Sequence, residues 1–347
     1  MKKETGDEDG EPLSPVARLF QSPGNNCCVI TMIGCKTKIK ADVVISSLKQ
    51  NVSKHPRFSS KLSNDGSSWI KTHVNVEDHV FVVDIDLEKI QEDGESLVKD
   101  YISRLTMFPL DKSKPLWDIH ILNVNTSDAE AVCVVRSHHS LGDGTSLMSL
   151  LVACTQKTPN HDTVSPVNVL KRRKTVHKDK IPWFLRLVLA ASSSVRLIWN
   201  TFVDLFLVSA IPLFLKDTKT PLKAGVGVES NPKKFCHRIV SLDDLKLIKE
   251  VMNMTINDVL LGVTQAALSR YLNNFPGKIR LTAGVLVNLR SNIGIQALTI
   301  HFLSYAGKMI ISIGVDSTAI PNPHKLCDEM EDSLKAMKAT LLERGLL

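Results

Sequence analysis

The chain has 347 residues, of which 43% are hydrophobic and 23% are charged, and its formal net charge is +7. This composition indicates a globular protein with room for two domains and excludes an intrinsically disordered chain. The seven cysteines contain no Cys-x-x-Cys pair. Their odd number favours neither a disulfide framework nor a zinc site, and a reducing compartment is expected. Residues 1–11 are polar and acidic, so we predict a disordered N-terminus rather than a secretion signal.

Residues 12–157 are predicted to form a first α/β domain. Short apolar runs predict strands, and apolar residues at helical spacing predict helices. The predicted strands are Val29–Ile33, His79–Val83, Trp117–Val124 and Ala131–Val135, and the predicted helices are Ala41–Val52 and Glu95–Leu105.

The last of these strands is followed by a histidine-rich motif. Its residues are His138-His139-Ser140-Leu141-Gly142-Asp143-Gly144, and a helix is predicted to start directly after it. An imidazole held between a strand and a helix can act as a general base near neutral pH. We expect Gly142 and Gly144 to supply turn conformations that are closed to other residues. A histidine pair alone is more often structural, but the full HHxxxDG pattern is more specific.

Residues 158–234 combine a basic linker with an apolar segment. Lys171-Arg172-Arg173-Lys174, with Lys178 and Lys180, precedes the apolar run Leu197–Phe214. No aromatic interleaving accompanies the basic cluster, so nucleic-acid binding is not expected. Asn200 and Asp204 interrupt the apolar run, which leaves three alternatives open: a membrane span, a pair of interfacial amphipathic helices, or a buried interdomain helix. The basic cluster favours the membrane alternatives, with the basic side cytosolic.

Residues 235–347 are predicted to form a second domain. Ser241 with Asp244 and Thr255 with Asp258 are typical of capped helix starts. The predicted elements are helices 241–251 and 259–272, strands Leu281–Leu289 and Lys308–Val315, and a final helix that starts at Asn322-Pro323.

Several further motifs occur in a fixed order around the histidine motif. They are Pro12-Leu13-Ser14-Pro15, His55-Pro56-Arg57-Phe58, Pro115-Leu116-Trp117-Asp118, Asn257-Asp258-Val259 and Val287-Asn288-Leu289-Arg290. HHxxxDG resembles the active-site motif of the CoA-dependent acyltransferase superfamily, which includes chloramphenicol acetyltransferase, carnitine acyltransferases and condensation domains. The ordered set resembles the plant bifunctional wax ester synthase/diacylglycerol acyltransferase family over nearly all residues from 12 to 347. The DFGWG motif of another plant acyltransferase group is absent.

The resemblance implies an α/β (α+β) fold of two domains, like that of chloramphenicol acetyltransferase. It also implies an O-acyltransferase that uses acyl-CoA as co-substrate and needs no metal or other cofactor. His139 would take the proton from the hydroxyl of a fatty alcohol or diacylglycerol, with His138 in support. The product would be a wax ester or a triacylglycerol. Asp143 would orient the loop through an arginine such as Arg290, and Gly144 would let the backbone approach the substrate.

The resemblance also implies substrate-binding roles for two other motifs. Pro115, Leu116 and Trp117 would shape the acyl pocket, and Asn257 and Asp258 would lie near the tunnel in the second domain. The residues alone leave alternatives open, since Trp117 also fits ordinary core packing and Asp258 fits a helix cap. His120, His237 and His301 lack any partner pattern and are not expected to be ligands.

A membrane surface is the further partner that the resemblance implies, and the oligomeric state is not indicated. The expected location is the cytosolic face of the endoplasmic reticulum membrane, with the plasma membrane as an alternative.

One departure from the family is large. Residues from Arg290 to Leu298 match the family's NLR region, whereas residues from Thr299 onward resemble its extreme C-terminus. On the order of a hundred residues would be missing between them, which is comparable to a small domain. The second domain is therefore predicted to be incomplete, with unpaired sheet edges. An active acyltransferase, an impaired membrane-associated variant that binds acyl-CoA, and a different HHxxxDG enzyme with a small acceptor all remain open.

Overall fold

The computed structural model describes residues 10–22, 26–84, 93–142, 183–214, 231–273, 278–281, 298–305 and 307–346, with the single residues 144, 147, 217, 218, 220 and 222. The chain divides into two compact units. The first comprises Met1–Gln156, Lys219–Gly277 and Gly284–Leu347, and the second comprises Lys157–Thr218 and Lys278–Ala283. The first unit thus contains both α/β halves. The domain boundaries at 12, 158 and 235 stay predictions.

Within the described residues, the N-terminal half contains three α-helices and seven strands. The helices are α1 (Pro15–Gln21), α2 (Ala41–Asn51) and α3 (Gly94–Leu105), and the strands are β1 (Glu11–Pro12), β2 (Cys28–Cys35), β3 (Ser60–Leu62), β4 (Ser68–Lys71), β5 (Val80–Val82), β6 (Trp117–Leu122) and β7 (Ala131–His138). The main sheet has the order β2-β7-β6-β5, and a smaller sheet has the order β1-β4-β3. All six elements predicted for this half before the motif are confirmed, whereas α1, β1, β3 and β4 were not predicted.

Strand β7 is buried on both faces of the main sheet. On one face, Val132 and Val134 pack against Ile102 of α3. On the other face, Val135 belongs to the cluster that contains Leu48 of α2. Strands covered on both faces carry continuous apolar runs, which is why the run that starts at Ala131 was recognisable in the sequence.

Strand β7 runs farther than the sequence predicts. It continues past Val135 to His138, and the loop that follows is a single 3₁₀ turn, His139–Leu141. Gly142 has a φ of 170°, which is extended backbone. The expectation that Gly142 supplies a conformation closed to other residues is therefore wrong.

The described part of the C-terminal half consists of a three-stranded sheet covered by helices. Its elements are β8 (Lys233–Ser241), α5 (Leu242–Val251), α6 (Ile256–Tyr271), β9 (Leu298–Tyr305), β10 (Lys308–Asp316) and α7 (Pro323–Glu343). The sheet order is β8-β10-β9, and both pairings are antiparallel. The predicted caps are confirmed, because Ser241, Thr255 and Asn322 each accept a hydrogen bond from the first turn of their helix.

Strand β9 forms one edge of this sheet. Leu298, Ile300 and Phe302 pack against the core, whereas Leu303 is 44% exposed and Tyr305 is 63% exposed. Within the described residues, β9 pairs only with β10. Beyond Leu281, the predicted strand Leu281–Leu289 lies outside the described residues.

The second unit contains one long helix, α4 (Trp183–Phe214), of 32 residues. It is continuous, whereas the interfacial alternative expected a pair of helices. Large apolar side chains are exposed on one face at helical spacing: Val195, Ile198, Trp199, Phe202 and Phe206. Arg196, Asn200 and Asp204 follow the opposite face and are also exposed, and Leu197 and Leu207 are exposed on that same face.

No helix within the described residues is both long enough and apolar enough to cross a bilayer.

Candidate active site

His138 is held by hydrogen bonds at both ring nitrogens. Its side chain is only 3% exposed, and its Nε2 donates to Asn26 Oδ1 at 2.7 Å. Its Nδ1 accepts from Gln21 Nε2 at 3.1 Å and from the Ser140 backbone N–H at 3.2 Å, with Ser140 Oγ at 2.7 Å. This set of partners fits a neutral ring protonated on Nε2. Burial lowers the pKa of His138 to about 4, with the charges of Lys112 and His139 adding to the effect.

His139 has a different environment. Its ring stacks on Phe20, with centroids 4.1 Å apart and an interplanar angle of 10°. Its backbone N–H donates to the Cys27 carbonyl at 2.9 Å. The residue is half-buried, and among the described residues its Nδ1 has no hydrogen-bond partner. Of the two histidines, His139 is thus the one with a ring nitrogen that has no partner among the described residues, and this Nδ1 is itself buried.

Three residues that contact the motif were missed by the sequence reasoning: Phe20, Gln21 and Asn26. The first two lie on α1, a short helix that begins after Ser14, whose hydroxyl accepts from the Ala17 N–H at 3.2 Å. Pro15 at the first position suits a helix start. The Pro12-Leu13-Ser14-Pro15 motif contained this start signal, but it did not reveal which side chains reach the histidines.

Of Asp143, Gly144 and Arg290, which were predicted to act at the loop, only Gly144 lies within the described residues. Asp143 and Arg290 lie outside the described residues, so their predicted salt bridge stays a prediction. Gly144 is exposed, and a Cβ atom built on it would meet nothing within 4 Å. The described structure thus leaves room beside Gly144.

The Pro115-Leu116-Trp117 segment is buried in the core. The Trp117 indole N–H donates to the Phe58 carbonyl at 3.0 Å, and its ring stacks on His79 at 4.2 Å. The Leu116 carbonyl accepts from the His138 N–H at 2.9 Å. These contacts support the core-packing alternative for Trp117 and tie the segment to the end of β7.

Asn257 and Asp258 are both exposed at the start of α6. The Asp258 carboxylate accepts from the Thr255 backbone N–H at 2.8 Å and from its hydroxyl at 2.7 Å. These hydrogen bonds lower the pKa of Asp258. The helix-cap alternative accounts for Asp258, and a role near the substrate tunnel stays a prediction.

A buried charge network joins β6 and β7 next to the motif. Arg136 Nε donates to Asp118 Oδ1 at 3.0 Å, and His120 Nε2 lies 3.1 Å from the same oxygen. His120 Nδ1 lies 2.8 Å from the Tyr101 hydroxyl. Burial alone would raise the pKa of Asp118, but hydrogen bonds from His120 and Arg136 lower it below its usual value. His120, which was not expected to be a ligand, thus has the Asp118 carboxylate as a close neighbour.

His237 and His301, which were also not expected to be ligands, have titratable neighbours as well. His237 of β8 lies 3.3 Å from the Asp128 carboxylate of the N-terminal half. Partial desolvation and the nearby charge of His139 lower the pKa of His301 on β9. The C-terminal half therefore brings an imidazole within electrostatic range of the motif.

The chain was compared with known protein families. Residues 35–260 match the family model of the wax ester synthase/diacylglycerol acyltransferase catalytic domain, and residues 286–338 match that of the WS/DGAT C-terminal domain. The first match alone covers more than half of the chain. The chain belongs to the wax ester synthase/diacylglycerol acyltransferase family. It is therefore an acyltransferase by family, as the motifs predicted.

Two plant relatives illustrate the similarity. Wax ester synthase/diacylglycerol acyltransferase 10 of Arabidopsis thaliana is 46% identical over 480 residues, covering 98% of this chain and 99% of the relative. Wax ester synthase/diacylglycerol acyltransferase 7 of the same plant is 45% identical over 474 residues, covering 97% of this chain and 99% of the relative. The first alignment spans 480 positions against 347 residues here, so more than a hundred positions of the relative have no counterpart. This supports the prediction that a segment of the family sequence is missing from within this chain, and its location after Leu298 stays a prediction.

Solved structures confirm the predicted fold. A wax ester synthase/diacylglycerol acyltransferase from Marinobacter aquaeolei VT8 aligns with a TM-score of 0.57 at 16% identity, covering 95% of this chain and 99% of that one. The first condensation domain of the calcium-dependent antibiotic synthetase aligns with a TM-score of 0.56 at 10% identity, covering 95% of each chain. At such identities the likeness concerns the fold alone, which is the two-domain architecture of chloramphenicol acetyltransferase-like enzymes.

Proposed function

We propose that the chain transfers a fatty acyl group from acyl-CoA to the hydroxyl of a long-chain alcohol or of diacylglycerol, with His139 as general base. The observation that carries the proposal is the difference between the two motif histidines. His138 uses both nitrogens in hydrogen bonds within the fold, whereas His139 stacks on Phe20 and has a ring nitrogen without a partner among the described residues. The first histidine is suited to support the loop and the second to move a proton.

The reaction conserves atoms and charge. The His139 imidazole takes the hydroxyl proton as the alcohol oxygen attacks the thioester carbonyl. When the tetrahedral intermediate collapses, the C–S bond breaks and the ester C–O bond remains. The imidazolium returns its proton to the departing thiolate, so that coenzyme A leaves as a thiol and His139 is regenerated.

An ester-synthesis assay tests this proposal. Labelled palmitoyl-CoA is supplied with hexadecanol or with diacylglycerol, and wild type is compared with His139→Ala. We expect the variant to lose activity by about 10²–10⁴-fold, the usual contribution of general acid–base catalysis. His73→Ala, at an exposed histidine away from the motif, is the matched control. A folded His139→Ala variant that retains wild-type turnover would contradict the assignment.

A second candidate function is an impaired variant that binds acyl-CoA without turning it over. Two observations favour it: the positions that lack a counterpart in this chain, and the exposed side chains at the β9 edge. A folded wild-type protein that binds palmitoyl-CoA in a calorimetric titration but forms no ester would support this candidate. Turnover that His139→Ala abolishes would exclude it.

We further infer that α4 associates with a membrane surface at the cytosolic face of the endoplasmic reticulum, with the plasma membrane as the alternative. The exposed apolar face of α4, which includes Trp199, Phe202 and Phe206, suits the boundary between headgroups and acyl chains. The basic cluster 171–174 precedes the helix in the sequence and suits anionic lipids. A membrane surface is also where long-chain alcohols and diacylglycerol accumulate.

Vesicle flotation tests this association with a matched pair of variants. Phe202→Asp places a charge on the apolar face, whereas Asn200→Asp places the same charge on the opposite face of α4, which already carries Arg196 and Asp204. On vesicles that contain anionic lipid, we expect Phe202→Asp to weaken binding by about tenfold or more and Asn200→Asp to have a much smaller effect. Equal effects of the two variants would contradict the proposed orientation of α4.

A further inference from the structure

Helix α1 approaches the histidine motif from a distant part of the chain. Phe20 contacts His139, and Gln21 contacts both His138 and Ser140. We propose that α1 is a positioning element for the acyl-transfer base, in which Phe20 sets the ring plane of His139 while Gln21, with Asn26, locks His138 and the turn beside it. These three residues lie before the match to the catalytic family model, which begins at residue 35.

Phe20 can fix the His139 ring because Phe20 is itself immobilised. Its side chain is 4% exposed, so the packing around it determines where its ring lies. The near-parallel stack restricts rotation of the imidazole about its χ2 torsion, which is otherwise broad. Within the described residues no hydrogen bond to Nδ1 performs this task. A general base has to be held within about 0.5 Å of its productive position, so the stack has a direct consequence for proton transfer.

Gln21 acts on the other side of the turn. Its Nε2 lies 2.9 Å from Ser140 Oγ and 3.1 Å from His138 Nδ1, so one amide group donates to both flanks of His139. Asn26 Oδ1 accepts from His138 Nε2 at 2.7 Å and thereby fixes the tautomer. The side chains on both sides of the base are thus held by residues that do not belong to the HHxxxDG motif.

Nuclear magnetic resonance of the full chain, labelled with ¹⁵N-histidine, tests the positioning without requiring turnover. His138→Gln and His139→Ala assign the signals. We expect His138 to remain a neutral Nε2–H ring throughout a titration from pH 8 to pH 5. Gln21→Glu would place a carboxylate beside Nδ1 of His138. Lys112 and His139 are the titratable neighbours of His138. Since an opposite charge favours the protonated ring, His138 should then titrate within this range.

Phe20→Leu is expected to shift the His139 ring signals, because the ring current of Phe20 is lost, whereas Phe20→Tyr should leave them nearly unchanged. Arg18→Gln, at an exposed position of the same helix, is the matched control. The proposal is overturned if His138 of the wild type titrates near its ordinary pKa, or if Phe20→Leu leaves the His139 signals where they are.

The kinetic consequence rests on the proposed function and has its own readout. We expect Phe20→Leu to lower kcat by about tenfold with KM for acyl-CoA within about twofold, and Phe20→Tyr to restore most of kcat. An inactive wild type, or a His139→Ala variant with normal turnover, would count against the proposed function and leave the resonance test to decide the positioning. Normal kcat in Phe20→Leu, together with an inactive His139→Ala, would overturn the positioning role alone.

Discussion

Strand β7 of the N-terminal half and strand β9 of the C-terminal half differ in how completely they are surrounded within the described residues. In the N-terminal half, β7 lies between β2 and β6, has apolar cover on both faces and ends at the histidine motif. In the C-terminal half, β9 has a neighbour on one side within the described residues and exposes Leu303 and Tyr305. The motif therefore follows a central strand, although β2 and β5 form the edges of the same sheet within the described residues. A functional defect caused by the shortened chain should arise in the second half and leave the motif geometry intact.

The largest predicted effect concerns the buried ion pair between β6 and β7. Asp118 and Arg136 face each other in the antiparallel register, and both are buried. Asp118→Ala would leave the guanidinium buried without its partner, and we expect it to lower the free energy of unfolding by about 3–5 kcal/mol. Urea denaturation followed by circular dichroism measures the change.

The matched control for this prediction is an ion pair of the C-terminal half. Asp328 accepts from Arg238 Nε at 2.9 Å, but both side chains are partly solvated. Asp328→Ala should cost less than about 1 kcal/mol, because exposed pairs contribute little. Equal losses of unfolding free energy in Asp118→Ala and Asp328→Ala would contradict the distinction between the buried and the partly solvated ion pair.

The next prediction, of intermediate size, concerns how the free energy of unfolding depends on pH. Burial lowers the pKa of His138 to about 4 in the folded chain, against about 6.5 when it is unfolded. Between pH 6.5 and pH 4 the unfolded chain therefore binds more protons than the folded chain. The contribution of His138 to the free energy of unfolding is complete above pH 6.5 and falls as the pH drops towards 4. The loss attributable to His138 should be on the order of 3 kcal/mol.

Denaturation curves of wild type and His138→Gln at pH 7.5 and pH 4.5 measure this contribution, because other histidines are common to both proteins. We expect the difference in stability between the two proteins to shrink at the lower pH. A difference that does not depend on pH would mean that His138 titrates alike in the folded and unfolded chains.

The smallest effect is expected at the edge of the second sheet. Leu303→Lys adds a charge at an exposed position of β9, so the free energy of unfolding should change by no more than about 0.5 kcal/mol. A charge on an open edge also opposes strand pairing between chains. Self-association measured by analytical ultracentrifugation should therefore decrease, and a large loss of stability would show that Leu303 is packed more tightly than the exposed edge indicates.

The sequence by itself determined the local features of this protein. Apolar runs and helical spacing predicted β2, β7, α2 and α3, and cap residues such as Thr255 and Asp258 predicted where α6 begins. These signals are readable because backbone conformation and capping depend on neighbours a few residues apart. The ordered motifs likewise predicted the family and hence the acyltransferase fold.

Only the tertiary structure decided how the side chains are used. It placed Phe20 and Gln21 against the motif, paired Asp118 with Arg136, and buried Trp117 in the core. Such contacts depend on strand register and on packing between elements that lie far apart in the chain, which local patterns do not encode. The sequence named two candidate histidines. Packing is what gives His138 partners at both ring nitrogens and leaves Nδ1 of His139 without one among the described residues.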